Sequence, residues 1–188
     1  MGTLTYKDLV EVDLTNLMLA VGDWKSVVDG LKKLVSDARS GLLKKSEGAR
    51  WAGLNATVTH EFVRKTAKEF EDLYKEASSI YAILDDAYEQ LTASQDKVKG
   101  TVNDAEVHGF KVSDNSDGTV RFDVPEGDES RLAQTWKRLY ADSVNQEIRR
   151  AVTTDHLTKR ALAKIHGGDP SDAGHAQYHG LQDITGES

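Results

Sequence analysis

The first long segment of the chain, residues 6–45, carries apolar side chains at spacings that alternate between three and four. After Val10, these positions are Leu14, Leu17, Val21, Trp24, Val28, Leu31, Val35, Ala38 and Leu42. Such a heptad seam is typical of a helix that packs along another helix. Thr5 followed by Asp8 predicts a capping box at its start. We therefore predict one helix from Tyr6 to about Lys45.

A second heptad seam follows in a predicted helix that begins near residue 55 and ends at about Ala105. Its members are Val63, Thr66, Phe70, Leu73, Ala77, Ile80, Leu84, Ala87, Leu91, Ser94 and Val98. Between the two helices, Gly48 and Gly53 flank Trp51, which predicts a tight interhelical turn. Residues 1–106 are thus expected to form a long antiparallel helical hairpin. One face of the hairpin is buried and its other apolar stripe requires a partner helix.

The pattern changes after the hairpin. Phe110 and Val112, and later Val120, Phe122 and Val124, alternate with polar residues around Asp117-Gly118, so residues 107–127 are predicted to form a β-hairpin. Residues 128–167 carry a third helical pattern that includes Leu132, Trp136 and Leu139. Residues 168–188 have no periodicity and are predicted to be a disordered tail. The predicted fold class is mostly α: an antiparallel helical hairpin with a W-x-G turn, a small β-hairpin insert and a C-terminal helix.

Composition narrows the possible functions. The net charge of −7 argues against a nucleic-acid-binding surface, which needs clustered lysines and arginines. The absence of cysteine excludes disulfides and thiolate zinc sites. Charged residues occupy the N-terminus where a Sec signal peptide would be apolar. No segment approaches the roughly 20 apolar residues of a membrane span.

The sequence also lacks recognisable catalytic chemistry. His175 and His179 have the spacing of a helical metal pair, but the glycines around them argue against a helix there. Neither a G-x-S-x-G elbow nor a phosphate-binding G-x-x-x-x-G-K-[ST] loop occurs. We therefore expect no catalytic, cofactor-binding or metal-binding residues, and a protein that is not an enzyme.

The order of helix, Trp51-Ala52-Gly53 turn and helix resembles the WXG family of proteins that type VII (ESX-like) secretion systems export. The segments Gly109 to Val124 and Ala151 to Asp155 are similar to longer actinobacterial members. The resemblance implies a homodimer, or a heterodimer with another WXG-like protein, formed through the helix seam. The seam residues expected to contribute most are Leu17, Trp24, Leu31, Phe70, Ile80, Leu84 and Leu91. It also implies recognition by a secretion ATPase. A third possible function is that of an effector whose activity would belong to a longer chain or a separate protein.

The family's second signal, Y-x-x-x-D/E, matches Tyr81 and Asp85. The two residues are four apart and share a helix face, but they lie in mid-helix, so Tyr81 is either part of this signal or a residue of the seam. The expected localisation is cytoplasmic before export and secreted afterwards, without a Sec signal peptide. A cytosolic coiled-coil adaptor or scaffold unrelated to secretion is the alternative, because the heptads fit both functions and only the W-x-G turn separates them.

Overall fold

The computed structural model describes residues 4–45, 54–115, 117–166 and 177–185. It is mostly helical, with a long antiparallel hairpin, one small antiparallel sheet and a C-terminal helix, which confirms the predicted fold class. The hairpin's Trp51 and Gly53 lie outside the described residues. The elements are helices α1 (Tyr6–Glu11), α2 (Thr15–Asp37), α3 (Leu54–Val107), α4 (Arg131–His166) and α5 (Gln182–Thr185), and strands β1 (Lys111–Asp114) and β2 (Val120–Asp123).

The predicted continuous helix from Tyr6 to Lys45 is wrong at Val12, where the backbone is extended and ends α1. The capping box of Thr5 and Asp8 is present at the start of α1, as predicted. Asp13 then favours a new helix start, because its Oδ1 accepts a hydrogen bond from the Thr15 N–H at 2.9 Å. The buried Gln95 side chain donates to the carbonyls of Leu9 and Val12 at 2.8 and 2.9 Å, which stabilises the break.

The far end of α2 continues into a π-helical segment, Ala38–Leu43. A π-helix has more residues per turn than an α-helix, so the face that the side chains present rotates along it. The Ser40 hydroxyl donates to the Ser36 carbonyl at 2.7 Å, a contact that often bends helices. In consequence Leu42 is exposed although the heptad spacing placed it in the seam.

The chain divides into two compact units. Unit 1 comprises Met1–Asn16 and Ala87–Thr158, and unit 2 comprises Leu17–Asp86 and Lys159–Ser188. This division cuts across the boundaries expected from the sequence (1–106, 107–127, 128–167 and 168–188), because α3 and α4 each contribute to both units. The long helices α3 and α4 nevertheless begin and end within a few residues of the predicted positions.

Unit 1 has its core where α1 and the β-hairpin pack on α3 and α4. Within unit 1, α3 and α4 run antiparallel. Gln90, early in this part of α3, bonds to Thr154 of α4, whereas Asp104, later in α3, bonds to Tyr140, which lies earlier in α4. The buried core residues are Leu9, Val98, Val102, Ala105, Phe110, Val120, Phe122, Ala133, Tyr140, Val144, Ile148 and Ala151.

The β-hairpin of unit 1 pairs Asp114 with Val120 and Lys111 with Asp123. Gly118 adopts φ +85° in the connecting turn, which explains the Asp-Gly sequence there. The amide side chain of Asn145 accepts from the Val120 N–H at 2.8 Å and donates to the Val120 carbonyl at 3.0 Å. These two hydrogen bonds connect the backbone of β2 to α4. They also satisfy the N–H and carbonyl of Val120 at the open edge of β2, where water would otherwise have to bind.

Unit 2 contains α2, the first half of α3, the end of α4 and a C-terminal segment, residues 177–185. The predicted disordered tail is wrong for this segment, because Tyr178, Leu181 and Ile184 are buried and α5 begins at Gln182. The guanidinium of Arg39 donates to Glu71 at 2.6 Å, which ties the end of α2 to α3 within this unit.

Candidate functional site

The face of α2 that carries the predicted seam is its least exposed face. Within α2, all six seam positions are half-buried, and Ala20 is the one other half-buried residue. Those six positions are Leu17, Val21, Trp24, Val28, Leu31 and Val35. No residue of this 23-residue helix is fully buried. Other helices therefore cover α2 on one face only. This is typical of a layer of paired helices and not of a helix inside a bundle.

The predicted seam residues on α3 are divided between the two units. Phe70, Ile80 and Leu84 are half-buried in unit 2. Leu91 is also half-buried, but it packs against the core of unit 1. The seam on α3 thus serves two different cores, a division that the uninterrupted heptad pattern does not reveal.

A second set of apolar side chains in unit 2 faces solvent. On α3, Val58, Phe62 and Leu73 lie at spacings of four and eleven residues and so share one helix face. Phe62 is 68% exposed and Val58 is 59% exposed. On α2, Val27 and Leu34 are one heptad apart and are also exposed. Several large apolar side chains in such a regular arrangement are a typical sign of an interaction surface.

The candidate export signal, Tyr81 and Asp85, lies where α3 is most thoroughly covered. From Tyr74 to Asp86 every residue is half-buried or buried. Both candidate residues are half-buried, and Tyr81 has an interaction partner within the protein. This environment favours packing as the role of Tyr81. Trp51 and Gly53, the other two motif residues, lie outside the described part of the chain.

The C-terminal segment contacts α3 through two side chains that sequence reasoning did not single out. The Ser79 hydroxyl accepts a hydrogen bond from the Tyr178 N–H at 3.0 Å. The Asp86 carboxylate accepts from the Leu181 N–H at 2.7 Å, just before α5 begins. Tyr178, Leu181 and Ile184 are spaced three residues apart, but three positions are too few to predict an element by periodicity.

Tyr140, in unit 1, has a strongly raised pKa. Burial, the hydrogen bond to Asp104 at 2.7 Å and the charge of that carboxylate together raise the pKa of Tyr140 to about 12. Its ring lies 5.3 Å from that of Phe110 and 5.7 Å from that of Phe122, measured between centroids. These ring contacts and the bond to Asp104 indicate a structural role for Tyr140 in the core of unit 1.

No group of three or more histidine, aspartate or glutamate side chains within the described ranges is arranged to hold a metal ion. Among the helices that the structure describes, none combines the length and the apolar character needed to cross a membrane.

Comparisons with known proteins give the chain no relatives. No protein-family model, no curated protein and no solved structure matches it.

Proposed function

We propose that this protein is a partner-binding module, or an exported substrate, of a type VII (ESX-like) secretion system. In this proposal its α2–α3 hairpin pairs with another helical hairpin, either a second copy or a WXG-like partner. Export would need a secretion ATPase and would proceed from the cytoplasm without a Sec signal peptide. The exported protein would have no enzymatic activity of its own. Any effector activity would belong to a separate protein or to a longer chain.

The observation that carries the pairing step is the incomplete burial of α2. A heptad seam that ran inside a finished bundle would contain fully buried residues, but α2 has none. In the same unit, Val58 and Phe62 of α3 are more than half exposed. A second hairpin laid on this layer would bury both sets of side chains, and burial of apolar surface is the main favourable term in association.

Pairing is tested by measuring the mass of the full chain in solution with light scattering over a range of concentrations. We expect a dimer for the wild type, or a monomer that becomes a 1:1 complex when a WXG-like protein from the same genome is added. Phe62→Ser removes an exposed ring and should weaken association. Leu139→Ser, which changes an exposed apolar residue of unit 1, is the matched control. Equal association by wild type and Phe62→Ser would overturn the assigned surface.

Export is tested separately, by comparing culture supernatants with a cytosolic marker for leakage. Trp51→Ala tests the W-x-G turn. Asp85→Asn tests the Y-x-x-x-D signal with little change in volume, so it should preserve packing. Loss of export in both variants, with pairing intact, would support a type VII substrate with two signals. Wild-type protein that remains in the cytosol would contradict the export step while leaving the pairing result valid.

The burial of Tyr81 and Asp85 specifically favours the alternative, a cytosolic helical adaptor. A signal that an ATPase reads must be accessible, and these two residues lie in a stretch of α3 without one exposed residue. The adaptor function predicts stable pairing, no export, and no effect of Asp85→Asn on localisation. The two experiments above therefore separate the two functions.

A further inference from the structure

A groove of about 580 Å³ lies between α3 and α4 in unit 1, apart from the hairpin surface discussed above. Nine of its ten lining residues carry polar or charged side chains, and the aliphatic parts of those side chains form much of its surface. Three cations, Lys97, Arg149 and Arg150, contribute to it, together with one carboxylate, Glu147. The groove is thus a local concentration of positive charge on a chain whose net charge is −7.

Buried polar side chains are concentrated at this groove. In the described part of the chain, five polar or charged residues are buried: Ser79, Ser94, Gln95, Glu147 and Thr154. Ser79 and Gln95 have structural roles, since they bind the C-terminal segment and the break after α1. The other three all line the groove. Burying a polar group costs free energy, so three in one place need an explanation.

Glu147 holds two of the three cations, Lys97 and Arg150, in position. It is 2% exposed, and its Oε1 accepts from the Lys97 ammonium at 2.8 Å and lies 3.8 Å from the Arg150 guanidinium. Its Oε2 accepts from the Ser94 hydroxyl at 3.3 Å. The side chains of Lys97 and Arg150 nevertheless remain 55% and 66% exposed, so most of their donors are available to a ligand.

Arg149, Thr154 and Gln90 also line the groove, and they add one guanidinium and two neutral polar groups. Arg149 forms no ion pair with any residue that the structure describes, and it lines the groove beside Arg150. Thr154 donates to the Gln90 amide oxygen at 2.9 Å, which fixes the orientation of an amide that also lines the groove. A planar guanidinium and a fixed amide next to an anchored ammonium are groups that bind anionic oxygens.

From this arrangement we propose that the groove binds a small organic or inorganic anion through carboxylate or phosphate oxygens. Its volume lies within the range of small-molecule sites, roughly 300–1,000 Å³. Three cations and one carboxylate leave the groove with two net positive charges, which matches a ligand with two negative charges. The buried Glu147 keeps the ammonium and one guanidinium aligned before the ligand arrives.

The test titrates citrate and, separately, inorganic pyrophosphate into the full chain at low ionic strength, and follows amide chemical shifts by NMR. We expect saturable shifts centred on residues 146–150 and 94–97, weakened by added sodium chloride. The probe that binds more tightly identifies carboxylate or phosphate as the preferred group. No saturable shift up to ~10 mM of either probe would overturn the proposal.

The main variant is Arg149→Gln, because this exposed cation has no ion pair with any described residue and its loss leaves the Glu147 cluster intact. It should weaken Kd roughly three- to tenfold, as expected for one charge-assisted contact. The matched control is Arg138→Gln, which removes the same charge from an exposed position of α4 outside the groove. An equal loss in the control would show a diffuse response to net charge and would contradict a defined site. Lys97→Arg, which preserves the charge, should retain binding and confirms that folding is intact.

Discussion

The break between α1 and α2 depends on one side chain from a distant part of the sequence, which makes Gln95 the most informative position to change. Its amide donates to the carbonyls of Leu9 and Val12, which lie 86 and 83 residues earlier in the chain. Gln95→Leu keeps a similar volume and removes both hydrogen bonds. Gln95→Glu replaces the donor by an acceptor that faces two carbonyl oxygens.

The expected loss of stability follows from the burial of each carbonyl. Leu9 is fully buried, so its carbonyl would remain without a partner at a cost of ~1–3 kcal/mol. Val12 is 42% exposed, so water can replace the lost bond at its carbonyl and the cost falls to ~0.5–1 kcal/mol. We expect Gln95→Leu to lower the free energy of unfolding by about 2–4 kcal/mol, and Gln95→Glu to lower it further at neutral pH.

The assay is chemical denaturation followed by circular dichroism, with Gln134→Leu as the control. Gln134 is exposed on α4, so the same substitution there should change the free energy of unfolding by less than ~0.5 kcal/mol. A Gln95→Leu protein as stable as that control would refute the reasoning. Asp13 would then be sufficient to hold the break, and the two hydrogen bonds of Gln95 would contribute nothing measurable.

Three further predictions concern single residues of either unit. Leu181→Ala removes a side chain that is 1% exposed and should lower the free energy of unfolding by about 2–5 kcal/mol, as measured by denaturant titration. Stability should fall as pH rises from about 10 to about 12, because folding raises the pKa of Tyr140 and the unfolded chain loses that proton first; Tyr140→Phe should remove this part of the pH dependence. Gly118→Ala should lower stability by ~1–2 kcal/mol because φ is +85°, whereas Gly100→Ala, in α3 with open space around it, should raise stability by ~0.5–1 kcal/mol; equal effects of both on the melting temperature would contradict the assigned backbone strain.

Periodicity predicts the elements of this fold well because the long helices bury residues at regular intervals. The seam of α2 coincides with six of its seven half-buried positions, and the end of α3 falls two residues after the predicted one. Local chemistry is equally informative where a few adjacent residues decide the backbone. The Thr5 capping box and the Asp117-Gly118 turn are both present because each depends on contacts within four residues.

The parts that could not be predicted depend on residues far apart in sequence. Val12 is apolar and lies within a helical pattern, and the side chain that stabilises its extended backbone comes from α3. The C-terminal segment offers three apolar residues, too few for a periodicity argument, and its order follows from Ser79 and Asp86. The three buried polar residues of the groove lie at ordinary helix positions, and only the antiparallel packing of α3 on α4 brings them together.

Burial along α3 also restricts where a partner helix can bind in unit 2. From Tyr74 to Asp86 the helix has no exposed residue, and within that stretch Ser79 and Asp86 already bind the C-terminal segment. The exposed apolar residues of α3 in this unit all precede it, from Val58 to Leu73. A partner that contacts α3 and leaves the C-terminal segment in place must therefore use the exposed apolar face from Val58 to Leu73. A partner that extends further along α3 must first displace Tyr178 and Leu181, and burial of those two side chains opposes it.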